Sequence, residues 1–228
     1  MFIPFANMAT QVAGPPINPV TSGLVFEMGF GPGQSYSGTG TTITDLSTYA
    51  EAGVVSGATY NSNRYFTFTN SVTSNIKFVT NTPYTQLGFV DEWTIFAYVK
   101  LNNTTNSVYI AEKSNTNDRL SLVGNYDAGA VRPWNGNYRG MPALSIGTTL
   151  ASVAFTKGAN GVANNYKSYK DGSNVDTISS DFTLALNTNG AVFNNFDPGD
   201  FDLYNFMYYD RALSASEVTS LHNYVTSY

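Results

Sequence analysis

The acidic residues are few, and their spacing does not suit catalysis. Glycoside hydrolysis needs two carboxylates facing one another across a cleft, and the acids that come close together are Asp91 with Glu92 and the group Asp197, Asp200 and Asp202. Neither set supplies two Glu residues around an Asp on one concave face. The only histidine, His222, stands beside no nucleophile motif and reads as a surface or end-of-helix residue, so a Ser-His-Asp arrangement has no support. The chain has no cysteine, which excludes a thiolate nucleophile, a Cys-ligated zinc and a disulfide framework. No catalytic residue is assigned, and the chain reads as a protein that is not an enzyme.

Two other stretches carry chemistry. Asn194 to Asp202 (NNFDPGDFD) offers Asn195, Asp197, Asp200 and Asp202 as oxygen ligands, the donors calcium prefers. The competing reading is a turn whose aspartates cap backbone amides; no metal and no cofactor are assigned, calcium being the one cation the stretch would suit. Ala130 to Pro142 (AVRPWNGNYRGMP) places Trp134 and Tyr138 among Arg132, Asn135, Asn137 and Arg139, in a Gly- and Pro-bearing segment too irregular for a core strand. Aromatic rings flanked by amides and cations suit a sugar, whose C–H faces stack on rings while its hydroxyls take polar partners. Alternatively, Trp134 folds back as a lid.

The elements that must hold such residues are strands. Charged residues are only 12% of the 228, about half the roughly 25% of an average soluble domain, while aromatics reach 14% with 16 Tyr and 15 Phe. From Gly23 onward, short apolar or alternating runs are separated by Gly, Asn, Asp and Ser clusters, the pattern of a many-stranded antiparallel sandwich. Candidate strands are Leu24–Met28, Tyr65–Thr69, Asn75–Val79, Trp93–Leu101, Val108–Lys113, Arg119–Val123, Leu144–Ile146, Leu150–Thr156, Tyr166–Lys170 and Phe201–Tyr209. In Trp93–Leu101, Trp93 and alternate residues face one way and Phe96 and Tyr98 the other, which marks a central strand. Asp171-Gly172 predicts a type I′ hairpin. One short C-terminal helix is expected after Leu213, opened by a Ser214/Glu217 capping box and carrying Val218, Leu221 and Val225 on one face, to pack across an end of the sandwich.

The formal net charge of -5, with 11 Lys and Arg scattered singly, leaves no basic patch for nucleic acid. No apolar run approaches the roughly 20 residues of a membrane-spanning helix, and the start lacks the pattern of a signal peptide. Residues 1–22 read as an extended arm preceding a single domain, 23–228. Phe2, Ile3, Phe5 and Met8 are apolar, and Pro4, Pro15, Pro16 and Pro19 forbid regular pairing. Such an arm is either a loose terminus or an element that docks on a neighbouring subunit.

Three segments, in order, resemble the laminin G-like family of concanavalin-type sandwiches: Glu92 to Lys100 (EWTIFAYVK), Leu150 to Val175 with its Asp-Gly hairpin, and Leu203 to Val218 (LYNFMYYDRALSASEV). With Ser22 to Ser47, which holds SGLVFEMGF and TTITDLS, the resemblance covers nearly everything after the arm. It implies a concanavalin-like jelly roll of two packed antiparallel sheets. Hydrolases on that scaffold carry Glu-x-Asp-x-x-Glu on one strand, a motif this sequence lacks, and some related sandwiches bind calcium on their rims. The Ser-Gly-Leu-Val opening after a Pro-containing arm is similar to sandwiches carried on phage particles as decoration or tail components. The sequence therefore leads to a virion structural protein, displayed on the virion surface and contacting other virion proteins or copies of itself through the arm. The alternative is an extracellular or particle-borne module that binds glycans.

Overall fold

A computed structural model describes residues 17–30, 34–78, 92–105, 108–113, 120–124, 129–134, 143–180, 191–194 and 198–227. In chain order the strands are β1 (Leu24–Gly29), β2 (Thr42–Thr44), β3 (Ala52–Ser56), β4 (Thr59–Asn61), β5 (Tyr65–Phe68), β6 (Asn75–Phe78), β7 (Trp93–Leu101) and β8 (Val108–Lys113). They continue as β9 (Leu120–Gly124), β10 (Ala130–Trp134), β11 (Leu144–Ser145), β12 (Ala151–Lys157), β13 (Tyr166–Lys170), β14 (Ser173–Ile178), β15 (Ala191–Phe193) and β16 (Phe201–Tyr209), before helix α1 (Ala215–Thr226). The described residues are all-β apart from this helix, as expected.

The strands form two antiparallel sheets. One runs β14-β13-β12-β7-β16-β5-β4, and the other β11-β10-β9-β8-β15-β6-β3-β2. β16 is the keystone of the first sheet. One of its edges pairs with β7 from Phe201 to Tyr209; its other edge is shared, Phe201–Leu203 pairing with β5 and Asn205–Tyr209 with β1. The register shifts between Leu203 and Asn205, a bulge at Tyr204 that re-aims this side chain.

Between the sheets lies an aromatic core. Phe26, Phe66, Phe68, Trp93 and Phe206 come from the first sheet and meet Ile43, Ile76, Phe78 and Phe193 of the second. The alternation in β7 holds: Trp93, Ile95, Ala97, Val99 and Leu101 enter this core, while Phe96 points to the opposite face. That opposite face is buried too. α1 sets Val218, Leu221, Tyr224 and Val225 against Phe96, Ala154, Tyr169, Met207 and Tyr209. The helix thus lies on the outer face of the first sheet and not across an end of the sandwich, because β7 and β16 offer large apolar side chains there that need cover.

The local signals that place α1 are realised in full. Ser214 is the N-cap, its Oγ accepts the Glu217 N–H, and Glu217 Oε2 accepts the Ser214 N–H at 2.8 Å. Arg211 Nη1 and Nη2 donate to the same carboxylate at 3.1 and 2.5 Å, and this bidentate pairing pulls Glu217 down to about 2. Ser214→Ala is expected to destabilise the fold by about 1 kcal/mol, read as a lower urea midpoint with unchanged slope. At the other landmark, Asp171 and Gly172 have φ of 50° and 76°, which is the type I′ geometry, and Lys170 pairs with Ser173 across it.

One expectation is corrected. Ala130–Trp134 is a strand: β10 pairs with β9 through Val131 to Trp134, and Val131 is fully buried. Pro133 is tolerated because β11 pairs only with Ala130 and Val131, leaving no ladder bond for Pro133 to supply on that edge. Of the predicted arm, 1–22, residues 1–16 lie outside the described residues. Asn18 and Val20 are buried, Asn18 Nδ2 donating to Glu27 at 2.9 Å and Val20 carbonyl accepting from Tyr209 at 3.1 Å, so the chain is already part of the sandwich by Asn18.

Candidate functional site

A cleft with a volume of about 730 Å³ is built by the Gln34–Thr44 segment and the β4–β5 hairpin. Its floor is aromatic. Buried Phe66 takes Tyr36 and Tyr60 on its ring at 5.0 and 5.3 Å, and the two tyrosines lie 5.1 Å from one another. Phe66 faces inward by the alternation of β5, so the sandwich core fixes where the tyrosines sit. Tyr36 Oη donates to Gly40 carbonyl at 2.6 Å, which locks the loop carrying that ring. Both rings are half-buried and line the cleft.

The rest of the lining is neutral and polar, with one exception. Gln34, Ser37, Thr42, Thr44 and Ser62 bring hydroxyl and amide groups, and Arg64 brings the one charge. No carboxylate lines the cleft among the described residues, so the acid pair of a glycosidase is not assembled there. Arg64 also lines a smaller cavity of about 150 Å³ on the outer face of the first sheet, with Asn63, Tyr98, Leu150, Tyr204 and Thr226. There the bulged Tyr204 stacks on Tyr65 at 4.6 Å and leans on Tyr98 at 5.3 Å. Burial, then the charge of Asp202, pushes the Tyr204 phenol up to about 12.

No protein-family model and no curated protein matches the sequence. Solved structures do match by fold. The binding domain of Botulinum neurotoxin DC in complex with rat synaptotagmin II has a TM-score of 0.69 at 13% identity, covering 89% of this chain and 52% of that one. The same binding domain in complex with SialylT gives 0.67 at 15% identity, with 90% and 52% covered. Trypanosoma rangeli sialidase in complex with sialic acid gives 0.60 at 18%, with 92% and 33% covered. The fold is a lectin-like β-sandwich. The chain spans about half the length of the toxin domains and a third of the sialidase, and at these identities the likeness is one of fold.

Within this sandwich the residues singled out from sequence fare differently. Arg132 is half-buried on β10 and Trp134 ends that strand; Asn135, Asn137, Tyr138 and Arg139 lie outside the described residues. So do Phe2, Ile3, Phe5 and Met8 of the arm, and Asn195 and Asp197 of the calcium candidate. The described aspartates of that candidate bind protein. Asp200 accepts from the Asn70 N–H and from Asn103 Nδ2, while Asp202 accepts from Thr67 and Asn102 and lies 3.9 Å from Lys100. Among the described residues, no group of three metal-binding side chains occurs.

His222 is half-buried and not merely a surface residue, and sequence spacing gave no sign of its neighbour. Its Nδ1 is 2.9 Å from Ser152 Oγ, and the Asp171 carboxylate accepts the Ser152 backbone N–H at 3.1 Å. Ser152 is buried and lines none of the described cavities, and the aspartate holds the serine backbone and not the imidazole, so the trio pins α1 to β12. Tyr36, Tyr60 and Arg64 were missed from sequence. The available signal was aromatic residues set in Ser/Gly/Asn runs (QSYSGTG, TYNSNRY), the same signature that drew attention to residues 130–142.

Proposed function

We propose that this domain binds carbohydrate in the cleft floored by Tyr36 and Tyr60. The observation that carries the reading is the pair of core-anchored tyrosine rings, 5.1 Å apart, at the base of a polar cleft of about 730 Å³. A volume of this size suits a small ligand of a few rings. Pyranose C–H faces pack on aromatic rings, and hydroxyls pair with the amide and hydroxyl groups of Gln34, Ser37, Thr42 and Ser62. The occurrence of the same sandwich in a neurotoxin binding domain solved with SialylT and in a sialidase solved with sialic acid supports the reading. Display on a virion, through the arm of residues 1–22 and contacts with other virion proteins or further copies, is a separate proposal. It rests on the composition of the arm and the sequence resemblance, and none of the relatives named above is a virion protein.

Tyr60→Ala is expected to weaken glycan binding by about tenfold or more, as loss of a stacking platform does. A glycan screen on the wild type, followed by calorimetric titration of the best ligand against both proteins, reads this directly. Wild-type protein that binds no glycan refutes the reading. Binding that survives Tyr60→Ala and disappears in Trp134→Ala moves the site to the Ala130–Pro142 segment.

A further inference from the structure

We infer that Arg64 makes the cleft selective for sugars that carry a carboxylate. This deepens the carbohydrate reading and rests on it. Arg64 closes the turn after β4 with φ of 66°, its N–H donating to Asn61 carbonyl at 2.8 Å. A left-handed backbone at a residue with a long side chain is disfavoured, and Gly or Asn occupies such positions at lower cost. Asn63, one residue earlier, shows that the turn already contains a residue suited to that conformation. The turn itself gains nothing visible from a guanidinium.

Nor is the guanidinium used elsewhere. Among the described residues, the Arg64 side chain makes no hydrogen bond or ion pair, whereas the other carefully placed cation of this region, Lys100, faces Asp202. Asp202 Oδ1 further accepts from Thr67 and Asn102, so this carboxylate is engaged by partners other than Arg64. Arg64 is half-buried and is a lining residue of both cavities, which places it at the border between them. An unpaired Arg in a neutral cleft, on a chain of net charge -5, attracts an anion that the rest of the surface repels. The fork of a guanidinium fits a carboxylate with two parallel hydrogen bonds. The tyrosine floor places a sugar ring beside it, which makes a uronic or other sugar acid the class of ligand expected.

The test is a glycan set in which each acidic member is matched by its own methyl ester, so that shape is kept and charge removed, together with sulfated members. Free acids are expected to bind about tenfold tighter than their esters, the difference shrinking as salt is added. In Arg64→Asn, which suits the left-handed backbone, the difference is expected to vanish while the urea midpoint stays the same or rises; Arg64→Lys keeps part of it. Esters that bind as well as acids, or an acid preference that survives Arg64→Asn, overturn the inference and leave the carbohydrate reading standing. Sulfated members that bind as tightly as the acids overturn the choice of carboxylate. A wild type that binds nothing in the set overturns the carbohydrate reading itself.

Discussion

Phe26→Ala is expected to lower the unfolding free energy by about 4 kcal/mol, the largest effect anticipated for a single core truncation here. Phe26 is fully buried at the point where the two sheets interdigitate. Its ring lies 4.9 Å from Phe78, edge to face, 6.1 Å from Phe193 and 6.3 Å from Phe206, two of these partners belonging to the opposite sheet. Removing it takes away transfer free energy and aromatic contacts together, and it leaves a void that three rigid rings cannot close. The check is a urea titration in which the midpoint falls and the slope is kept. Val175→Ala, on an exposed strand position, serves as the control and is expected to change stability by less than about 0.5 kcal/mol. A Phe26→Ala loss near that of the control would mean that the sheets do not meet through this ring.

How far the sequence foretells this structure depends on where each signal resides. Signals contained in a few neighbouring residues are realised: the alternation of Trp93–Leu101, the Asp171-Gly172 turn and the Ser214/Glu217 box each determine a local geometry and each is found. Very short strands such as β2 and β15 have three residues each, too few to show a period, and exist because longer neighbours pair with them. β10 was masked by Arg132 and Pro133, residues a strand tolerates where its partner β11 stops short. The seat of α1 is a tertiary matter: an apolar helical stripe must be covered, but only the outward Phe96, Met207 and Tyr209 say by what.

The candidate cleft was less legible than the fold for a related reason. Tyr36 and Tyr60 are 24 positions apart and become one platform only because Phe66 supports both, a contact that no spacing encodes. Arg64 looked like a scattered charge in a turn. Its meaning comes from what surrounds it, two cavities with no carboxylate among the described residues that line them.

Glu27 supplies the second large effect, because it is a buried carboxylate whose partners among the described residues are neutral side chains. It lies under α1, buried, on β1. Asn18 Nδ2 donates to it at 2.9 Å and Tyr224 Oη at 3.2 Å, and Gln34 Nε2 donates in turn to Tyr224 at 3.2 Å. The side chain thereby ties the start of the domain, the helix and the rim of the cleft to one point. Burial pushes its carboxyl above the usual range, with Asp45 nearby adding in the same sense, while the bonds from Asn18, Tyr224 and Asn205 act against the shift. Glu27→Leu removes the acceptor for the Asn18, Tyr224 and Asn205 side chains and is expected to destabilise the fold by about 3 kcal/mol, since unmet donors cost more than the relieved desolvation returns. Glu27→Gln keeps one acceptor oxygen and should lose less. The sign of the pH dependence follows from the raised folded pKa. The folded protein holds this proton more tightly than the unfolded chain, so the contribution is fully present below about 4.5 and is lost as pH rises through the folded value. Glu217 runs the opposite way: with its folded value near 2, its contribution is present above about 4.5 and fades as pH falls towards 2. Urea midpoints measured between pH 4.5 and 8 should therefore decline more steeply in the wild type than in Glu27→Gln, with Asp45, which is raised in the same direction, left to produce the slope that persists. Identical slopes in the two proteins would show that Glu27 stays ionised throughout and that its neighbours hold it as a charge.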